Sequence, residues 1–75
     1  MNKKSIKLKK IFNKIILKKK LSDSAFLKLK INQIKEWDSM QNMHLLLEIE
    51  KKFDLKFSFK EMNTLNSINK ILKRI

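Results

Sequence analysis

Apolar residues recur along this chain at helical spacings, interrupted twice by stretches that keep no period. Over residues 3–19, Leu8, Ile11, Phe12, Ile15 and Ile16 fall within one arc of about 140° on a helical wheel, and lysines fill most of the remainder. Ile6 and Leu17 lie off that stripe. Residues 20–37 hold no sustained pattern. Leu21-Ser22-Asp23-Ser24 is a stop-and-turn cluster, and Phe26, Leu27, Leu29, Ile31 and Ile34 describe a long loop pinned to a core. A short strand or helical turn within 26–34 stays open.

Asp38 is a good N-cap residue, and the pattern is helical from Ser39 to about Lys52. Met40, Met43, Leu46, Leu47, Ile49 and Phe53 cluster on one side, with Gln41, His44, Glu48 and Lys51 on the other. Two residues break this division: Leu45 points away from the stripe and Glu50 lies within it. Residues 54–59 alternate and read as an extended linker that tucks in Leu55, Phe57 or Phe59. Ser58 followed by Glu61 is a capping-box pattern for a short helix over 60–64. A last helix runs from about 66 to 75, with Leu65, Ile68, Ile71, Leu72 and Ile75 as its stripe.

The expected fold is all-α. One domain over residues 1–75 holds three main helices (about 3–19, 39–52 and 66–75) and a short one, with a long loop over 20–37. Each stripe needs the others to be buried, which argues against a removable presequence at the basic start. Lys9, Lys10 and Lys14 also interrupt any signal-peptide core, and no run approaches the roughly 18 apolar residues of a membrane span. A cytoplasmic protein is expected.

Composition removes several function classes. The chain has 75 residues with no Gly, Pro or Cys and a single His. A phosphate-cradling glycine loop, a disulfide framework, a cysteine nucleophile and an ordinary zinc site are therefore excluded. No paired-carboxylate site or triad material is present, so an autonomous enzyme is not expected. A core this small leaves about 3–5 kcal/mol of net stability.

The net charge of +12 is unevenly distributed: residues 1–35 carry twelve Lys and one acid, Asp23, whereas residues 36–75 carry seven Lys or Arg and six acids. Such a balance invites a nucleic-acid or anionic-membrane reading. It also fits the Lys-, Ile- and Asn-rich usage of AT-rich genomes, the plainer reading.

The informative stretch is residues 36–53, EWDSMQNMHLLLEIEKKF. A Ser directly after an N-cap Asp has an exposed hydroxyl where free amides and the helix dipole favour a phosphate ester. The dipeptide alone is a common helix start, and Asp23-Ser24 is a second instance. The context is more specific. Asp38-Ser39-Met40, the apolar run to Ile49 and then Glu50-Lys51-Lys52-Phe53 resemble the prosthetic-group helix of acyl carrier proteins. The likeness continues without a gap through Phe57, the Leu65-Asn66-Ser67-Ile68 lead-in to the last helix, Leu72 and Ile75.

The resemblance implies that Ser39 is esterified by 4′-phosphopantetheine from coenzyme A. A separate phosphopantetheinyl transferase would install it, with Asp38 helping to bind that enzyme's magnesium. The carrier itself would hold no metal and catalyse nothing. A chain without Cys would thereby gain a thiol for an acyl or aminoacyl thioester, to be loaded and transferred by partner enzymes. By alignment, Met43, Leu46 and Leu47 would line an acyl cavity with Ile68 and Leu72 opposite. Plain core is the alternative for each of the five. Met40, Gln41, His44, Leu45, Glu48 and Lys51 would form the partner surface, and a monomer is expected. The family is usually acidic along this helix. Most of that acidic code is missing here, which points to dedicated partners and a specialised pathway.

The rival reading is a cationic helical module. Lys3, Lys4, Lys7, Lys9, Lys10, Lys14 and Lys18 to Lys20 could lie on anionic membrane or on a nucleic-acid backbone. With one arginine, no recognition-helix turn and no aromatic platform, specific nucleic-acid binding is not expected. Weak contact between the first helix and anionic membrane is compatible with either reading.

Overall fold

The computed structural model describes residues 1–75 and is all-helical, as the pattern predicts. Its five helices are α1 (Lys3–Ile15), α2 (Asp23–Leu27), α3 (Ser39–Phe53), α4 (Phe59–Thr64) and α5 (Ile68–Arg74). The α1 helix packs on α3, and α5 closes the bundle against α1 and α2. No helix is long and apolar enough to cross a membrane.

Asn2 caps α1, its Oδ1 accepting from the Ser5 amide at 2.9 Å. The helix buries Leu8, Ile11 and Phe12 but stops at Ile15, four residues before the predicted end. Leu17 explains the early stop. On a continued helix it would face away from the core, whereas here the chain turns after the cap at Ile16 and Leu17 is buried. Burying a leucine contributes about 2 kcal/mol, more than the helical turn it replaces.

The predicted loop over 20–37 contains the short helix α2. Ser22 Oγ caps it by accepting from the Ala25 amide at 3.1 Å, so the stop-and-turn cluster is itself a helix start. This turn delivers Phe26 to the core, edge-on to Phe12 with ring centroids 5.4 Å apart. Trp37 meets the same Phe12 ring at 5.2 Å and 81°. Between them, the Ile31 amide donates to Asn66 O at 2.9 Å and the Ile68 amide to Leu29 O at 3.1 Å, a single antiparallel bridge that ties the loop to the start of α5.

Two positions need a left-handed backbone, and a chain without glycine fills them with Asn32 (φ 68°) and Asp54 (φ 53°). Short Asx side chains tolerate this region better than other non-glycine residues do. Asp54 ends α3, its amide donating to Glu50 O. Beyond it, Glu50 Oε2 accepts from the Phe57 amide at 2.7 Å. The acid within the predicted stripe therefore fastens the linker that buries Phe57. Leu55 is half-buried and Phe59 is exposed. Ser58 and Glu61 form the expected capping box of α4. Ser67 caps α5, which starts two residues later than predicted.

Candidate functional site

The start of α3 is fixed by three neighbouring interactions. Trp37 is fully buried, its indole Nε1–H donates to Asn42 Oδ1 at 3.0 Å, and Asn42 Nδ2 donates to Leu65 O at 2.9 Å. Asp38 follows as N-cap, with Oδ1 accepting from the Gln41 amide at 2.9 Å. Ser39 is the first helical residue, and both Asp38 and Ser39 are exposed. The buried tryptophan thus anchors one side of a two-residue step whose far side is the Ser39 hydroxyl. An acidic cap at the positive end of a helix stabilises it by about 1 kcal/mol.

Beside Ser39 lies a cleft of about 290 Å³ bordered by Ile31, Asn32, Asn42, Met43, Met62, Asn63 and Asn66. Its rim comes from the loop before α3, the first turns of α3, and the end of α4. The Asn32 amide donates to Trp37 O at 2.8 Å, and this turn sets one wall. Asn32, Asn63 and Asn66 give the cleft amide donors and acceptors, while both polar atoms of Asn42 are committed to Trp37 and Leu65. No group of three or more His, Cys, Asp or Glu side chains converges here or elsewhere.

The register of α3 differs from the expectation. Its core face is Asn42, Leu45, Leu46 and Ile49, the i, i+3, i+4, i+7 set of one helix side. Leu45, expected on the partner surface, is fully buried. Met43 and Leu47, expected to line a cavity, are 47% and 44% exposed. The real face is rotated by roughly a quarter turn from the predicted stripe. A polar residue at a core position caused the misplacement: Asn42 belongs inside because Trp37 and Leu65 give it partners.

The other residues sort accordingly. Leu46 and Ile68 are fully buried core, Leu72 is half-buried against it, and only Met43 of the five expected cavity residues borders the cleft. Leu47 borders a separate groove with Glu50, Lys51 and Leu55. Met40 and His44 are exposed, as is Lys51, while Gln41 is half-buried. Glu48 is half-buried, 4.0 Å from Lys52 one turn on. Sequence reading missed Asn32, Met62, Asn63 and Asn66 because the fold brings them together from three segments. For Asn42 the 42-45-46-49 spacing was an available signal. No family model, curated protein or solved structure matches this chain.

Proposed function

We propose that this chain is a carrier protein of the acyl carrier type, holding an acyl or aminoacyl group as a thioester on 4′-phosphopantetheine attached to Ser39. The observation that carries the reading is the placement of Ser39. It is exposed on the first turn of a long helix, directly after the N-cap Asp38, at the mouth of a cleft. The residues present fit the group. Its phosphate would sit by the unpaired amides of the first turn of α3, and the asparagines Asn32, Asn63 and Asn66 match the amides of a pantetheine arm. The bound group supplies a thiol, which a protein without cysteine lacks.

The chain's own contribution is positional. Trp37 and Asn42 hold the α2–α3 loop so that the serine stays at the surface, and Asp38 leaves a carboxylate beside it for the transferase's magnesium. The cleft is small and amide-rich, and Leu46 and Ile68 are closed into the core, so a short or polar cargo suits it better than a long alkyl chain. Loading enzymes would approach over Met40, Gln41, His44, Glu48 and Lys51. That surface is mostly uncharged, so the partners are dedicated ones rather than the basic enzymes that read acidic carriers.

The test is intact mass after incubation with coenzyme A, magnesium and a broad-specificity phosphopantetheinyl transferase. A gain of one phosphopantetheine, abolished by Ser39→Ala and kept by Ser24→Ala, is the expected result. An unchanged mass for the folded protein, or a gain that survives Ser39→Ala, would refute the assignment.

A further inference from the structure

On the side of α1 away from α3, the chain builds a second groove. Its volume is about 430 Å³, and it runs between the outer face of α1 and the turn at Lys20–Asp23. Lys9 spans its walls, donating to Leu21 O at 2.6 Å and to Asp23 Oδ1 at 2.9 Å. Asp23 is the only acid among residues 1–35, and this contact uses it up. Lys10 and Lys20 on the rim have no acidic partner.

The same groove also leaves apolar surface and a polar atom unsatisfied. Ile6, on the face opposite the core, is 44% exposed, Met1 is 43% exposed, and Leu21 lines the groove between them. Asn13 also lines it, and its Oδ1 is the one buried side-chain polar atom without a hydrogen-bond partner. Apolar residues centred among uncompensated lysines form an interfacial pattern: the apolar group enters the acyl boundary and the lysines meet phosphates. A nucleic-acid backbone would neutralise the lysines but has no use for Ile6 and Met1. The face also lacks the arginines and aromatic rings that read or stack bases.

We propose that this groove docks the protein on an anionic phospholipid surface. Lys10 and Lys20 pair with lipid phosphates, and Ile6, Met1 and Leu21 enter the interface. Ser39 lies on another element and is not used, so this reading stands or falls separately from the carrier assignment.

The experiment is co-flotation with vesicles of phosphatidylcholine alone and of phosphatidylcholine mixed equally with phosphatidylglycerol. Binding is expected only to the mixed vesicles. Lys10→Gln with Lys20→Gln should weaken it about thirtyfold, since each lysine near an anionic surface contributes about a factor of five. Ile6→Gln, which leaves the charge unchanged, should weaken it several-fold. Lys70→Gln with Lys73→Gln removes the same charge from exposed positions on α5 and should change it little. All these positions are exposed, and circular dichroism checks that each variant is folded. An equal loss in the α5 pair would overturn the site in favour of undirected charge attraction. So would unaltered binding by Ile6→Gln, or binding of the wild type to an oligonucleotide but not to mixed vesicles. Ser39→Ala should bind vesicles as the wild type does, whatever the outcome of the transferase assay.

Discussion

Asn42 is the residue whose removal should cost most for its size. It is 4% exposed and sits between two groups with no other partner in the hydrogen-bond network: the Trp37 indole N–H and the Leu65 carbonyl. Asn42→Ala leaves a buried donor and a buried acceptor unpaired. Each orphaned group costs about 1–3 kcal/mol, so the expected loss is about 4 kcal/mol. A domain of this size holds only about 3–5 kcal/mol in all. The variant should therefore lie near its unfolding midpoint in plain buffer. Asn42→Asp should fare little better, because it keeps an acceptor for Trp37 but turns a carboxylate oxygen toward Leu65 O.

Urea denaturation followed by Trp37 fluorescence measures this directly, since Trp37 is the only tryptophan and lies at the broken bond. With a slope of about 1 kcal/mol per molar for so small a domain, the midpoint should fall by several molar and the emission should move to the red without denaturant. Repeating the substitution in a Trp37→Phe background, followed by circular dichroism, should show a loss smaller by about 1–2 kcal/mol, since one of the two orphans no longer exists. An Asn42→Ala midpoint within about 1 M of wild type, with unshifted emission, would refute the argument that this asparagine fixes the start of α3.

Asp54 has φ 53° at the C-terminus of α3, where both the left-handed backbone and the negative helix end disfavour it. Asp54→Gly should stabilise by about 1 kcal/mol, a rise of about 4–8 °C in Tm by calorimetry. Two carboxyls are held below their ordinary range: Asp23 by the hydrogen bond and charge of Lys9, and Glu61 by the hydrogen bond from the Arg74 guanidinium and then the Ser58 amide. A lowered folded pKa gives stability that is complete above the unfolded value, about 3.9 for Asp and 4.3 for Glu, and lost as pH falls through the folded one. Tm should be flat from about pH 5 to 7 and fall below about 4, and Lys9→Met or Arg74→Met should remove part of that acid-limb slope. Because Lys9 already occupies Asp23, the remaining lysines of the basic half repel one another. Tm should therefore rise between about 10 and 300 mM NaCl, and a flat or falling profile would count against that repulsion.

The starts of α3 and α4 were legible because caps are local chemistry. Asp38 and Ser58 each accept from an amide three residues on, and sequence spacing carries that information. The ends were less legible. Whether α1 continues past Ile15 depends on where Leu17 can be buried, which only the assembled core decides. The short helix α2 escaped notice for a related reason. Five residues make too little periodicity to read, and its one buried side chain, Phe26, finds its partner in Phe12 fourteen positions earlier in the chain.

The face of α3 shows why the candidate site was the hardest part to place. A run of Leu45, Leu46 and Leu47 covers most of a helix turn, so apolarity alone cannot choose its inward side. The choice is made by the polar residue, because only one rotation lets Asn42 reach both Trp37 and Leu65 O. That rotation leaves Met40, Met43 and Leu47 exposed on the side that carries Ser39. Exposed apolar residues gain nothing from folding, and three on one side of a single helix are unlike the single scattered ones that need no explanation. Core packing therefore falls to Leu45 through a buried polar contact, while Met40 and Met43 stay at the surface and Met43 borders the cleft. Local rules fail where a surface is reserved for something other than stability, and in this chain the failure falls on the helix that bears Ser39.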